Sequence, residues 1–87
     1  MANFVYVLVN GEGQTYVGQT GDLDHRVQEH NAPDYRGTLH TKRHRGPWRL
    51  VYSEEYASRA EAMKREKQLK SGAGRRFVRS LLKQGGR

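Results

Sequence analysis

The stretch Phe4-Val5-Tyr6-Val7-Leu8-Val9 decides the fold. It is β-branched, aromatic and aliphatic with no polar alternation, the pattern of a strand covered on both faces, so it is expected at the centre of a sheet. The next residues, Asn10-Gly11-Glu12-Gly13-Gln14, are rich in types that accept positive φ, and Thr15-Tyr16-Val17-Gly18 then resumes strand character. Two such runs joined by such a turn form a hairpin, which places Tyr6 and Tyr16 on neighbouring strands.

Beyond the hairpin, Gly21-Asp22 can cap a helix that carries Leu23 and Val27 at i,i+4 and ends near Asn31-Ala32-Pro33, where proline prevents continuation. Residues 34–47 show no periodicity and concentrate Arg36, His40, Lys42, Arg43, His44 and Arg45, and a loop of that length in a small domain usually serves binding. From Trp48 to Tyr52, Trp48, Leu50 and Tyr52 alternate with Arg49 and Val51, predicting a third strand with one face more buried. Ser58-Arg59-Ala60-Glu61 matches a capping box and starts a helix that runs to about Lys70. After Ser71-Gly72-Ala73-Gly74, the spacing of Phe77, Val78, Leu81 and Leu82 marks a final basic amphipathic helix, and Gly85-Gly86-Arg87 is expected to fray.

With 87 residues the chain has room for one domain, residues 1–87 with a core of about 3–83, and only 34% of residues are hydrophobic, so that core is thin. Sixteen Lys and Arg against nine acids give a formal charge of +7, which favours polyanionic partners, nucleic acid first among them. The absence of cysteine excludes disulfides, thiolate zinc sites and cysteine nucleophiles. His40 and His44 have no second ligand-spaced pair to complete a zinc site. The longest apolar run, Phe4 to Val9, is too short to span a bilayer and lacks a secretory leader's features, so the expected location is the cytoplasm, with no membrane partner.

Several polar residues fall where apolar ones are expected. On the first helix, roughly 100° of rotation per residue sets Arg26 and His30 about 40° apart on the border of the Leu23/Val27 stripe, facing the sheet. On the second, Ala62, Glu66 and Leu69 fall at i, i+4 and i+7, so a carboxylate fills the middle slot of the inward stripe. An unpaired buried carboxylate is costly, so Glu66 must meet a cation. An ion pair with Arg26, a solvated pair with Lys70, and a bound metal all meet that need. Gly18 inside a strand pattern signals either a bulge or the close approach of a ligand or another backbone.

Val5-Tyr6-Val7, eight residues from Leu8 to Thr15, Tyr16-Val17-Gly18, Arg26 ten positions after Tyr16, and Glu66 on a later helix together resemble the GIY-YIG nuclease family. The short stand-alone bacterial members are most similar, through Tyr16-Val17-Gly18-Gln19-Thr20, Arg26-Val27-Gln28-Glu29-His30-Asn31, Leu50-Val51-Tyr52 and Glu61-Ala62-Met63-Lys64-Arg65-Glu66-Lys67. The resemblance, which extends to the nuclease domain at the N-terminus of the repair protein UvrC, implies an α+β fold: a three-stranded antiparallel sheet flanked by helices, with a shallow groove across it.

It also implies a metal-dependent endonuclease that hydrolyses DNA phosphodiesters, selective for DNA structure or single strands, in repair, recombination or processing, with RNA cleavage open. Tyr6 or Tyr16 would help activate water, Arg26 would hold the scissile phosphate, His30 would orient a tyrosine or share that contact, and Glu66 would hold one Mg2+ or Mn2+. Such a division suits the reaction, because a fixed guanidinium and a cation both stabilise charge that develops on phosphate oxygens. Tyrosine, with an unperturbed pKa of about 10, needs neighbouring positive charge or a relay to act as a base. Gly18, Lys42, Arg43 and Arg45 are the candidate nucleic-acid contacts. Val5-Tyr6-Val7 replaces the eponymous Gly-Ile-Tyr, and the late asparagine of some larger members has no counterpart.

Two other functions fit parts of the sequence. A noncatalytic DNA- or RNA-binding module explains the charge and the basic loop but not an inward Glu66. A protein adaptor would use the final helix, with Phe77, Val78 and Leu81, as a docking face.

Overall fold

The computed structural model describes residues 2–31 and 47–85; the basic segment with His40, Lys42, Arg43, His44 and Arg45, and the final Gly86-Arg87, lie outside the described residues. Three strands form an antiparallel sheet: β1 (Asn3–Val9), β2 (Thr15–Thr20) and β3 (Arg49–Tyr56), in the order β2-β1-β3. Helix α1 (Leu23–Asn31) follows β2, while α2 (Arg59–Lys70) and α3 (Gly72–Gly85) follow β3. The α+β architecture expected from the sequence is therefore the one observed.

β1 is central because its side chains have apolar partners on both sides. Val5 and Val7 pack with Val17, Ala62, Leu69 and Val78 beneath α2 and α3, whereas Tyr6 and Leu8 pack with Trp48, Leu23 and Val27 beneath α1. Burying each aliphatic or aromatic side chain of that kind is worth roughly 1.5–3 kcal/mol, so a six-residue run anchors both layers. The β1–β2 hairpin is closed by Asn10, whose Oδ1 accepts the amides of Glu12 and Gln14 at 3.1 and 2.9 Å, and by Gly13, the residue that takes a positive φ of 81°. Without Cβ, that turn conformation is free of the steric clash other residues meet there.

The third strand differs from simple alternation. Val7 pairs with Tyr52 and Leu8 with Leu50, so Val51 is an extra residue at a β-bulge. The bulge reverses the facing sense: Trp48 buries beneath α1, while Val51 and Tyr52 pack toward α2 and α3 and Leu50 is left exposed. The strand also continues through Ser53-Glu54-Glu55 to Tyr56, because Glu54 is neutralised on the inner face by groups that the sequence pattern did not reveal.

Helix ends follow their expected chemistry. Asp22 Oδ1 accepts the His25 amide at 3.1 Å, and Ser58 Oγ accepts the Glu61 amide at 3.2 Å and donates to Glu61 Oε1 at 3.0 Å. α3 begins earlier than its apolar spacing suggested, because Ser71 caps it: Ser71 Oγ accepts the Gly74 amide and Ser71 O the Arg75 amide. A Cβ at Gly74 would collide with the backbone of Gln68 and Leu69, so this glycine is what lets α3 fold back against α2. Val78 and Phe77 then complete the core, which makes the apolar stripe of α3 an internal one. Among the described residues, no helix is long and apolar enough to cross a membrane.

Candidate active site

The face beneath α1 is where polar side chains interrupt the core. Strand register sets Tyr6 opposite Gly18, one step from Tyr16 on β2. A Cβ on Gly18 would lie 2.6 Å from the Tyr6 hydroxyl, 2.7 Å from its Cζ and 2.9 Å from Tyr16 Cε2. The missing side chain of Gly18 is thus the seat of the Tyr6 ring: the β1–β2 register runs without a bulge, and the group that approaches is a side chain, which neither alternative had named.

Tyr6 is 1% exposed, and its hydroxyl shares a 3.0 Å hydrogen bond with Nε2 of His30, itself 6% exposed. The Tyr16 ring lies 4.9 Å from the His30 ring and 6.1 Å from Tyr6, so the three rings form one tilted cluster. Burial, and then the nearby Arg26 guanidinium, push the His30 pKa below its ordinary 6.5, with Glu29 opposing. His30 is therefore neutral near pH 7, with one ring nitrogen able to accept a proton. Tyr6 is sealed behind the cluster, whereas Tyr16 is half-buried and reaches its outer side.

Arg26, one turn before His30 on α1, has a half-buried side chain with its Nε 3.1 Å from Glu29 Oε1. That contact is an ion pair without hydrogen-bond alignment, since among the described residues the buried Nε has no hydrogen-bond partner. Glu66 sits between the buried Ala62 and Leu69, as its spacing indicated, with 23% of its side chain exposed. Its cation is Lys70, at 3.6 Å on the next turn of α2. Of the alternatives for Glu66, the structure contains the Lys70 pair and not the one with Arg26.

Tyr6, Tyr16, His30 and Arg26 are thus gathered by β1, β2 and α1, while Glu66 is carried by the opposite helix layer. α2 packs against β2 along the sheet edge. There an open groove of about 560 Å³ is lined by Thr15, Tyr16 and Val17 from the strand and by Leu69, Lys70, Arg75 and Arg79 from the helices. Tyr16 and the lysine that holds Glu66 therefore border the same groove. Among the described residues no three His, Asp or Glu side chains converge on one point, so a cation here would rely on Glu66 and otherwise on water and substrate oxygens. A lone, half-buried carboxylate fits a cation that keeps most of its hydration, such as Mg2+. Lys42, Arg43 and Arg45 lie outside the described residues.

Sequence reasoning missed two arrangements. Asn31 ends α1 by pairing with Trp48: its Nδ2 donates to Trp48 O at 2.9 Å and its Oδ1 accepts the Trp48 amide at 2.6 Å, tying together the residues that flank the basic segment. Glu54 accepts hydrogen bonds from Tyr52 and Tyr56 and from Arg65 at 2.9 and 3.1 Å. Burial works to raise the Glu54 pKa, but the bonds from Arg65 and the tyrosines outweigh it and hold the carboxyl below 4.5. Its signal was present in Tyr52-Ser53-Glu54-Glu55-Tyr56, where period two puts one acid between two tyrosines on one face.

Comparison with known proteins identifies the family. A family profile described as the GIY-YIG catalytic domain matches residues 2–77. UPF0213 proteins of Staphylococcus aureus strains Mu3 and N315 are each 36% identical over 80 residues, spanning 92% of this chain and 94% of theirs. The solution NMR structure of the UPF0213 protein BH0048 from Bacillus halodurans is similar at a TM-score of 0.54 and 34% identity, over 93% of this chain and 85% of that one. With the profile covering most of the chain and the sheet, tyrosines and glycine seat in place, this chain belongs to the GIY-YIG family, a family of nucleases.

Proposed function

We propose that this protein is a cytoplasmic endonuclease that hydrolyses DNA phosphodiesters with the help of one divalent cation, Mg2+ or Mn2+, in DNA repair, recombination or processing. The observation that carries the reading is the Tyr6–His30 pair behind Tyr16: a buried, neutral histidine bonded to one tyrosine and in ring contact with another. A structural hydrogen bond alone would not require a second tyrosine at the rim and an arginine one turn away.

In this reading Tyr16, the less buried tyrosine, meets the attacking water, and His30 and Tyr6 form the proton relay behind it. With the proton of His30 on Nδ1, Nε2 accepts the Tyr6 hydroxyl. The water oxygen forms the new bond to phosphorus as its proton passes to the tyrosine cluster, the bond to the leaving oxygen breaks, and that oxygen takes a proton from solvent, leaving a phosphate and a hydroxyl end while the cluster returns its proton to solvent. Arg26, released from Glu29, donates to a non-bridging phosphate oxygen, where charge accumulates in the transition state. Glu66 would hold the cation in place of Lys70; when bound, the cation neutralises charge on the phosphate and the leaving oxygen. Gly18 keeps the tyrosine floor flat beneath the strand, and Lys42, Arg43 and Arg45 would add backbone contacts.

The test uses end-labelled single-stranded, duplex, flap and four-way DNA and RNA with Mg2+, Mn2+ or EDTA. Cleavage that needs metal and falls by about 10²-fold or more in Tyr16→Phe and in Arg26→Ala supports the reading. A second reading, a noncatalytic nucleic-acid-binding module, is favoured by one observation: both Arg26 and Glu66 are paired with neighbours on their own helices. Binding without cleavage of any substrate under every metal condition would select it.

A further inference from the structure

Arg26 and Glu29 form an ion pair that leaves a hydrogen bond unmade. Glu29 Oε1 lies 3.1 Å from Arg26 Nε, yet among the described residues the buried Nε has no hydrogen-bond partner. Both side chains rise from α1 three residues apart, so the carboxylate reaches the charge without lying along the N–H bond. A phosphate carries no such tether. Its oxygens can align with Nε and a terminal nitrogen at once, the forked match that a guanidinium makes with oxyanions. Glu29 therefore attracts Arg26 without satisfying it, and a phosphate can do both. The carboxylate also has a second neighbour to keep: the same Oε1 lies 3.7 Å from Nε2 of His25, whose side chain is 66% exposed one turn back on α1.

Resting on the nuclease reading above, we infer that Glu29 is a positioning residue that acts through Arg26: it occupies the guanidinium in the free protein, yields it to the reacting phosphate, and thereby sets how tightly that phosphate is held. Two effects weaken the hold. The ion pair must be given up, and a carboxylate with 33% of its side chain exposed stays beside the bound phosphate and repels it. The transition state, with more charge on its phosphate oxygens, competes for Arg26 better than the ground state does. Glu29 thus makes the guanidinium more selective for the reacting phosphate than for one merely bound.

The experiment is a double-mutant cycle read by fluorescence anisotropy of a labelled DNA oligonucleotide, with the full chain in EDTA. Salt is held at about 0.15 M, where exposed charges more than about 8 Å apart are largely screened. Arg26→Ala is expected to weaken binding, and Glu29→Gln to tighten it about two- to fivefold, the range set by an exposed ion pair. In the Arg26→Ala background the same Glu29→Gln change is expected to shift affinity by less than about 1.5-fold, because its partner is gone. Asp24→Asn removes the same charge from an exposed position on the same helix and should have a similarly small effect. Glu29→Ala carries the same expectation as Glu29→Gln and removes any bond the new amide could make, while circular dichroism checks the helix content of every variant. Equal tightening with and without Arg26, equal effects of Glu29→Gln and Asp24→Asn, weaker binding in both Glu29 variants, or unchanged binding in Arg26→Ala would each overturn the proposal. Because EDTA silences cleavage, failure of the nuclease reading shows only in the cleavage assay, and failure of the Glu29 role shows only here.

Discussion

The two faces of one sheet have been put to different uses. Beneath α2 and α3, Val5, Val7, Val17, Ala62, Leu69 and Val78 form an apolar layer, and its one inward strand carboxylate, Glu54, is saturated by two tyrosine hydroxyls and a forked arginine. Beneath α1, Tyr6, Tyr16 and His30 bring hydroxyls and a ring nitrogen into the core, and among the described residues the charge on Arg26, like that of Glu66 on α2, has a single ion-pair partner within its own helix. A saturated polar group adds stability and resists change. A group held by one weak intrahelical pair, worth about 0.3–0.5 kcal/mol when exposed, can exchange that partner for a ligand at small cost. The same contrast separates Glu54 from Glu66, both acids on otherwise inward stripes.

Substitutions at the two close-approach glycines sharpen this contrast most. Gly74→Ala forces a methyl group into the backbone of Gln68 and Leu69, which cannot move aside without parting α2 from α3. A loss of about 3 kcal/mol or more is expected, read as a fall in the denaturation midpoint. Gly18→Ala instead meets side-chain atoms of Tyr6 and Tyr16 and no backbone, so the expected cost is smaller, about 1–2 kcal/mol. Its larger effect is on chemistry: the Tyr6–His30 bond breaks and cleavage falls while most of the fold remains.

Glu54→Gln keeps the shape of its site but removes the charge that Arg65, Tyr52 and Tyr56 share. Hydrogen bonds to charged groups contribute about 1.5–3 kcal/mol, and urea denaturation should read a loss in that range with cleavage nearly unchanged. Because the Glu54 pKa is held below 4.5, its stabilisation is present above that pH and is lost as the pH falls through the folded value.

The smallest expected effect concerns His30. Its folded pKa lies below 6.5, so the unfolded chain binds its proton first, and stability declines as the pH drops below 6.5 toward the folded value. His30→Gln, which can still hydrogen bond to Tyr6, should flatten that part of the stability profile. An unaltered profile would mean that His30 is not the group responsible.

Much of this was legible in the residues. The unbroken apolar run of β1 required two covered faces, the Asn10–Gln14 turn required a hairpin, and the spacing of Ala62, Glu66 and Leu69 put an acid on a buried stripe. Each of those readings depends on local spacing alone. What was not legible depends on register between distant segments. The bulge at Val51 reverses which face Trp48 and Tyr52 occupy, the close approach at Gly74 sets how α3 folds back on α2, and the Arg65 fork to Glu54 joins residues eleven positions apart on different elements. The groove at the β2 edge escaped for the same reason: Thr15 to Val17 and Lys70 to Arg79 are brought together only by the packed helices.

The most direct test measures cleavage and thermal midpoint side by side in Glu54→Gln and Glu66→Gln. Glu66→Gln should abolish most metal-dependent cleavage while moving the midpoint little, and Glu54→Gln should lower the midpoint while leaving cleavage nearly intact. If both variants lose stability and activity in parallel, the distinction between a saturated carboxylate and a singly paired one is contradicted.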